Sequence, residues 1–379
     1  MTIEFDALLR LLRLALGTEA PVPLPAIPAT GFDATAFIAL VDRHRVAPFL
    51  VRNLPADAKL LVPPVAATYL TTMGAIAMKR AVIRASSLQR VLALLEADGI
   101  VALSVKGVLL ARELYGHIGA RHAGDLDLLI DDAAIDRADA ALRRSGWRRV
   151  RPDFELSPRE RALFRRIRHE YVYADRDADV HLDLMWRLFN NTLTEEIRRE
   201  APRVVELAGR SVRRLSRETE TLYLFIHGAR HGWLRLFWLL DVAMLLGDLS
   251  IDWERLLARA RRIGAERSVR QGGWMACELL QVRLPEALRR DRSAVVDRLV
   301  RDGYRHLESP VSDAQGVPWR ILYHMRRHDR WASRLRELGA IGLSPFAWHA
   351  TAGVSPTSRR HYALRPFRWL HRTLRRGSD

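Results

Sequence analysis

The period of the hydrophobic pattern changes twice along this 379-residue chain, and no other feature constrains the fold as strongly. Up to residue 97, apolar residues such as Leu8, Leu9 and Leu12 recur at helical spacing. Between 98 and 190, short apolar runs of strand length alternate with short helical runs, and from about 191 the helical period returns. The middle segment is therefore typical of a compact α/β or α+β unit.

The pattern divides the chain into four segments. They are an N-terminal helical region (1–97), a core (98–190), a C-terminal helical domain (191–345) and a basic tail (346–379). The core strands are predicted at 100–105, 124–130, 147–150, 170–174 and 180–186, with helices at 108–115 and 133–144. The other helices are predicted at 37–53, 64–97, 194–201, 218–247, 252–263, 266–282, 294–307 and 320–337.

Composition excludes several classes of protein. The hydrophobic content of 49% and aromatic content of 8% exclude a mostly disordered chain. The single cysteine, Cys277, excludes a disulfide scaffold and a cysteine-rich zinc module, and it favours a cytoplasmic location. The longest uncharged stretch, 60–78, contains Pro63 and Pro64, so we expect a buried helix there and no transmembrane segment.

The formal net charge of +17 suggests a polyanion partner, but the basic residues are almost all arginines. Only Lys59, Lys79 and Lys106 are lysines, and the arginines are scattered along the whole chain. This distribution favours an arginine-biased solvated surface over a dedicated nucleic-acid module. The aromatic and basic tail leaves contact with RNA or an anionic membrane open, beside the same plain arginine bias.

The candidate catalytic residues are carboxylates on two predicted strands. Asp125 and Asp127 lie two residues apart in the strand at 124–130, so they point the same way while the leucines between and after them face the core. Neighbouring carboxylates repel unless a divalent cation lies between them, and their hard oxygen atoms suit Mg²⁺. Asp183 alternates with leucines in the strand at 180–186. If the strands are neighbours, three carboxylates can hold two metal ions.

The candidate phosphate contacts precede the carboxylate strand. Lys106 and Gly107 separate the first predicted core strand from a helix, where the glycine admits a phosphate to the free N–H groups of the helix N-terminus. Arg121 can meet a phosphate with two hydrogen bonds. Alone, a D-x-D sequence or a Lys-Gly turn also occurs in ordinary proteins, so only the ordered set carries information.

This ordered set resembles the nucleotidyltransferase domain of the DNA polymerase β-like superfamily. It resembles more closely a family of uncharacterised bacterial nucleotidyltransferases, through Lys106, Gly107, Leu114, Tyr115, Arg121, Asp125, Asp127, Leu128, His169 and Asp183. A second block resembles the family's later helix pair, through His227, His231, Trp233, Arg235, Trp238 and Asp241. Met185 departs from the pattern, because the family usually has histidine there.

The resemblance implies an α+β fold, with a mixed sheet and helical regions on either side. It implies transfer of a nucleotidyl group, with AMP from ATP favoured, to a small-molecule or peptide acceptor with release of pyrophosphate. By the same resemblance, Asp125 and Asp127 would hold two Mg²⁺ ions, or Mn²⁺ as a substitute. Asp183 would complete the metal site and orient or deprotonate the acceptor hydroxyl. Lys106 and Arg121 would neutralise the triphosphate.

The second block leaves several interpretations open. His227 and His231 lie four residues apart on one helix face, but Gly228 stands where the zinc-protease motif needs glutamate, so zinc is disfavoured. The two histidines, with Arg235 and Asp241, either face the nucleotide or form a structural wall. Two other functions also remain open: a catalytically inactive nucleotide-binding scaffold, and a basic nucleic-acid-binding protein.

Overall fold

The computed structural model describes residues 2–19, 31–59, 62–175, 179–188, 191–308 and 317–335. The predicted basic tail and residues 336–345 of the predicted C-terminal domain lie outside this range. Within the described residues, no helix is both long and apolar enough to cross a membrane.

The N-terminal region is helical, as its apolar period predicts. Its helices are α1 (Ile3–Leu16), α2 (Ala34–His44), α3 (Ala47–Asn53), α4 (Ala56–Lys59) and the long α5 (Pro64–Ala97). The single helix predicted at 37–53 is wrong, because Arg45 has a left-handed backbone (φ 55°) that ends α2. Helix α5 begins with a proline in its first turn and has the predicted bounds.

Among the described residues, a mixed sheet of seven strands confirms the α+β fold. The strands are β1 (Ala102–Ser104), β2 (Leu126–Ile130), β3 (Arg148–Arg151), β4 (Glu170–Ala174), β5 (His181–Met185), β6 (Arg203–Leu207) and β7 (Arg210–Arg214). Their order is β3-β4-β5-β2-β1-β7-β6. Strand β2 runs parallel to β5, and β1 runs parallel to β7, whereas the other pairs are antiparallel.

Two of these strands lie in the gap between the helices predicted at 194–201 and 218–247. Strands β6 and β7 form a hairpin between 203 and 214, and β7 pairs with β1 through Ser104 and Arg214. The helical period predicted from 191 onward is therefore interrupted here by strands that the sequence did not predict. The sheet extends beyond the core segment predicted at 98–190.

The remaining helices pack on the sheet and on the N-terminal region. They are α6 (Val108–Tyr115), α7 (Ile135–Arg144), α8 (Pro158–Ile167), α9 (Asn191–Ile197), α10 (Arg217–Arg230), α11 (Leu236–Leu246), α12 (Trp253–Ile263), α13 (Glu266–Leu280), α14 (Glu286–Arg289), α15 (Ala294–Glu308) and α16 (Val317–Arg327). The helix predicted at 218–247 is two helices, because Gly232 and Trp233 both have positive φ and turn the chain between α10 and α11.

Buried apolar side chains form two clusters. One joins the N-terminal helices to the C-terminal helices and includes Leu8, Leu12, Phe225 and Leu240. The other lies between the sheet and helices α5 and α7. Because the first cluster takes residues from both ends of the described chain, the two helical regions pack against each other as well as against the sheet.

Candidate active site

Two of the three predicted catalytic carboxylates are direct neighbours in the sheet. Asp127 on β2 is in register with Asp183 on the parallel strand β5, so both side chains lie on the same face. Asp127 is buried, with 5% of its surface exposed. Asp125 is exposed and precedes the first residue of β2. The structure thus places the predicted trio at the beginning of β2 and beside it.

Lys106 lies against these carboxylates. Its Nζ is 2.7 Å from Oδ1 of Asp127, and the N–H of Val105 donates to the Asp127 carbonyl at 3.0 Å. Gly107 follows with φ of 78°, a backbone conformation that disfavours other residues, and α6 begins at the next residue. A Cβ at this glycine would lie 3.6 Å from the carbonyl oxygen of Asp125. The N-terminus of α6 therefore adjoins the carboxylates.

The site holds more buried negative charge than Lys106 balances. Burial alone would lower the pKa of Lys106, but the adjacent Asp127 carboxylate raises it above the ordinary value and keeps the amine charged. Burial, followed by the Asp127 and Glu170 carboxylates, raises the pKa of Asp183 to about 8. A further cation at this position would relieve the repulsion between the carboxylates.

Glu170 is a fourth carboxylate that the sequence analysis missed. It lies on β4, two residues from Val172, whose partner on β5 is Asp183, so Glu170 is on the same face as the predicted trio. Its Oε2 is 3.2 Å from Nε2 of His169. The predicted strand at 170–174 indicates that Glu170, Val172 and Ala174 share one face. It does not indicate which strand lies beside them, so the sequence alone could not bring Glu170 to the other carboxylates.

Arg121 and Asp241 contact each other in the structure. Both are buried, and the guanidinium donates from Nε to Oδ1 and from Nη2 to Oδ2, each at 2.7 Å. The Tyr115 hydroxyl donates to the same Oδ1 at 2.8 Å. This ion pair joins the segment before β2 to α11, and the contacts of Arg121 and Asp241 with a nucleotide stay a prediction.

His227 and His231 lie in an aromatic group at the end of α10. Their ring centroids are 4.6 Å apart, and the His231 ring stacks on Trp238 at 5.2 Å. Burial lowers the pKa of His227 well below its usual range, so this imidazole is neutral at pH 7. Arg235 is half-buried and immediately precedes α11. Their contact with a nucleotide stays a prediction.

Helix α10 also supplies a site neighbour that the sequence did not indicate. Tyr223 is buried, and burial raises the pKa of its hydroxyl while the charge of Lys106 opposes this shift. The carboxylates of Asp127, Glu170 and Asp183 also act on it. Helix α10 thus lies over the face of the sheet that carries the carboxylates.

The side chains of the site can be compared with the ligands that a divalent metal ion requires. Within the described ranges, no three His, Cys, Asp or Glu side chains are already arranged around one metal position. The chemistry nevertheless fits Mg²⁺, since Asp125, Asp127 and Asp183 offer carboxylate oxygens and the Lys106 ammonium already occupies a cation position beside Asp127.

The fold and these residues agree with a comparison against known families. A family described as uncharacterised nucleotidyltransferase matches residues 30–281, which is more than half of the chain and contains every candidate residue above. The protein is thus an enzyme of the nucleotidyltransferase class, which transfers phosphorus-containing groups and acts on a nucleotide. Within that class, the chain belongs to this uncharacterised nucleotidyltransferase family. Neither the curated proteins nor the solved structures contain a match.

Proposed function

We propose that the protein transfers a nucleoside monophosphate from a nucleoside triphosphate to a small-molecule or peptide hydroxyl in a Mg²⁺-dependent reaction, with AMP from ATP as the favoured donor. The observation that carries the proposal is the shared face of Asp127 and Asp183 on neighbouring strands, with Lys106 bound to Asp127. Such an arrangement suits in-line displacement at phosphorus, which depends on positioning and on electrostatic stabilisation.

Asp125, Asp127 and Asp183 would hold the two Mg²⁺ ions, or Mn²⁺ in their place. When bound, such ions polarise the phosphate oxygens and neutralise the charge that develops on the leaving group. The raised pKa of Asp183 supports this role, because it reflects carboxylates crowded together with too little positive charge.

The protein's own groups would bind and orient the two substrates. Asp183 would orient the acceptor hydroxyl and accept its proton as the acceptor oxygen bonds to the α-phosphorus. The bond between the α-phosphorus and the oxygen that bridges it to the β-phosphorus breaks, and pyrophosphate leaves. Lys106 and the free N–H groups at the start of α6 would stabilise negative charge on the phosphates, with Gly107 allowing their close approach.

Calorimetric titration with ATP, GTP, CTP and UTP, each with and without Mg²⁺, tests this proposal. The wild type is compared with the double variant Asp125→Asn/Asp127→Asn and with a matched control, Asp131→Asn/Asp132→Asn, which alters two exposed aspartates just beyond β2. We expect one triphosphate to bind only with Mg²⁺, the first variant to lose this binding and the control to keep it.

The other outcomes separate the alternatives. Binding of every triphosphate by the Asp125→Asn/Asp127→Asn variant as well as by the wild type would overturn the metal assignment. Mg²⁺-dependent binding, with no incorporation of labelled nucleotide when acceptors are supplied as a cell extract, would favour the inactive scaffold. The third function is a basic nucleic-acid binder, with which the net charge of +17 is compatible. That function predicts steeply salt-dependent binding to nucleic acid that the aspartate substitutions do not weaken.

A further inference from the structure

A group of basic side chains surrounds the segment 122–125 that carries Asp125, and the proposed function gives it no role. It consists of Arg45, Arg80, Arg84 and His122, which we call the basic cluster. Arg45 ends α2, and Arg80 and Arg84 lie on α5, so three members belong to the N-terminal helices. His122 belongs to the segment before β2.

Arg84 fixes the segment that carries Asp125. It is buried, and its Nε donates a hydrogen bond to the carbonyl oxygen of Gly124, while Nη1 donates to the carbonyl of Arg80 at 3.2 Å. Burial lowers the pKa of Arg84, and the Asp125 carboxylate opposes this shift. The helix α5 is thereby held against the residue that precedes Asp125.

Arg45 is held in place by a histidine. Its Nη1 is 3.0 Å from Nε2 of His122. Burial, followed by Arg45 and the other nearby arginines, lowers the pKa of His122 to about 3, so the ring is neutral and accepts the hydrogen bond without cancelling the charge of Arg45. Burial also lowers the pKa of Arg45, and Asp125 is the first carboxylate that opposes it.

Asp125 therefore interacts with groups of both charges. Its carboxylate acts on Asp127 and Asp183 and also on Arg45 and Arg84. Asp42 also acts on Arg45 and Asp179 on Arg84, but within the described residues no carboxylate forms an ion pair with an arginine of the basic cluster, so these charges are available to an anion. A nucleoside triphosphate with a bound metal ion matches both kinds of group, because the metal ion binds carboxylates and the outer phosphates bind cations.

We propose that the basic cluster binds the outer phosphates of the nucleoside triphosphate, whose metal ions are held by Asp125, Asp127 and Asp183. This inference rests on the proposed function and deepens it. Arg121, the arginine that the sequence favours for this contact, is occupied by Asp241, whereas the basic cluster lies beside Asp125. The N-terminal helices thus become part of the substrate site, and selection for a triphosphate over a monophosphate depends on them.

Two charge-removing substitutions test this assignment. Arg80→Gln changes an exposed residue, so the variant is expected to fold, and Arg45→Gln changes a half-buried one. Arg90→Gln is the matched control, because Arg90 is an exposed arginine on the same helix and pairs with Asp175. The dissociation constants for ATP and AMP are measured by calorimetry with Mg²⁺. Circular dichroism checks that each variant is folded.

We expect Arg45→Gln and Arg80→Gln each to weaken ATP binding by about ten- to a hundredfold, the loss typical of a hydrogen bond between charged groups. Binding of AMP should stay within about twofold, and Arg90→Gln should behave as the wild type. If the wild type binds ATP with Mg²⁺ and both variants keep its ratio of ATP to AMP affinity, the basic cluster is not the phosphate site, although the proposed function stands. If the wild type binds no triphosphate, both proposals fail.

Discussion

At the scale of single residues, the pair of Lys106 and Asp127 has consequences for stability as well as for chemistry. Nζ of Lys106 lies 2.7 Å from Oδ1 of Asp127, and the Lys106 and Asp127 side chains are 18% and 4% exposed. Removing Lys106 from this pair would leave the buried carboxylates of Asp127 and Asp183 without their compensating cation, which typically costs about 3–5 kcal/mol.

We therefore expect Lys106→Gln to lower the free energy of unfolding by about 3–5 kcal/mol, measured by urea denaturation. By contrast, Asp125→Asn affects an exposed carboxylate and should stay within about 0.5 kcal/mol, although it should abolish Mg²⁺-dependent binding. Equal stability of the two variants would contradict the structural role that we give to Lys106.

The same residues show how much of the site a sequence can specify. Alternation of side chains along β2 and β5 is a local property, so Asp127 and Asp183 could each be placed opposite the leucines of their strands, and only the adjacency of the strands had to be assumed. The partner of Arg121 lies far along the chain on α11, and no local pattern indicates it. The approach of Arg45 and Arg84 to Asp125 likewise depends on how the N-terminal helices pack.

At the scale of elements, a buried network of charges fixes the β6–β7 hairpin and helix α10 to the rest of the core. Arg214 on β7 is fully buried and binds both Glu113 on α6 and Glu220 on α10. Arg203 on β6 binds the same two glutamates at 2.7 and 3.0 Å. Four elements therefore meet in one group of ion pairs, and two of them, α6 and α10, border the candidate active site.

We expect Glu220→Gln to lower the free energy of unfolding by about 3 kcal/mol or more, because Arg214 then keeps only part of its compensating charge in a fully buried position. Glu218→Gln, on the same helix, is the control. Its nearer partner Arg255 is mostly exposed, and the buried Arg259, 3.8 Å away, keeps Glu196 and Glu200 as partners, so the loss should be below about 1 kcal/mol. Urea denaturation measures both, and a loss at Glu220 no larger than that at Glu218 would refute the argument.

The elements also differ in how well they could be predicted. Helix α6 and strand β4 have the predicted bounds, because apolar residues repeat there at the right period between clear turn signals. Strands β6 and β7 were missed, because their sequences RVVEL and RSVRR carry charges that give little strand signal. Three of these arginines, Arg203, Arg210 and Arg214, pair with glutamates from other elements, which only the tertiary structure reveals.

At the scale of the whole molecule, buried histidines predict sensitivity to acid. His44 is fully buried and accepts a hydrogen bond from the N–H of Leu236, which joins α2 to α11. Burial, followed by Arg43, lowers the pKa of His44 to about 3. The pKa of His122 is also lowered to about 3, mainly by burial.

Between the folded value near 3 and the unfolded value of about 6.5, the unfolded chain binds more protons than the folded one. Each such histidine should therefore lower the free energy of unfolding as the pH falls from 6.5, by up to about 1.4 kcal/mol per pH unit, while Asp183, whose folded pKa is about 8, contributes with the opposite sign. Urea denaturation at pH 7, 6 and 5 measures the slope. His44→Asn should make it shallower, whereas substitution of the exposed His181 by Asn should leave it unchanged; equal slopes would show that His44 does not contribute.

The pairing of β1 with β7 also affects how the chain folds during translation. Strand β1 is an interior strand, but only one of its neighbours, β2, follows it closely in sequence, and the other is completed at Arg214. At a typical elongation rate, the ribosome needs on the order of ten seconds to synthesise the chain between β1 and β7. During that interval the nascent chain carries β1 as an open edge, which is a surface for a chaperone to cover until the hairpin emerges.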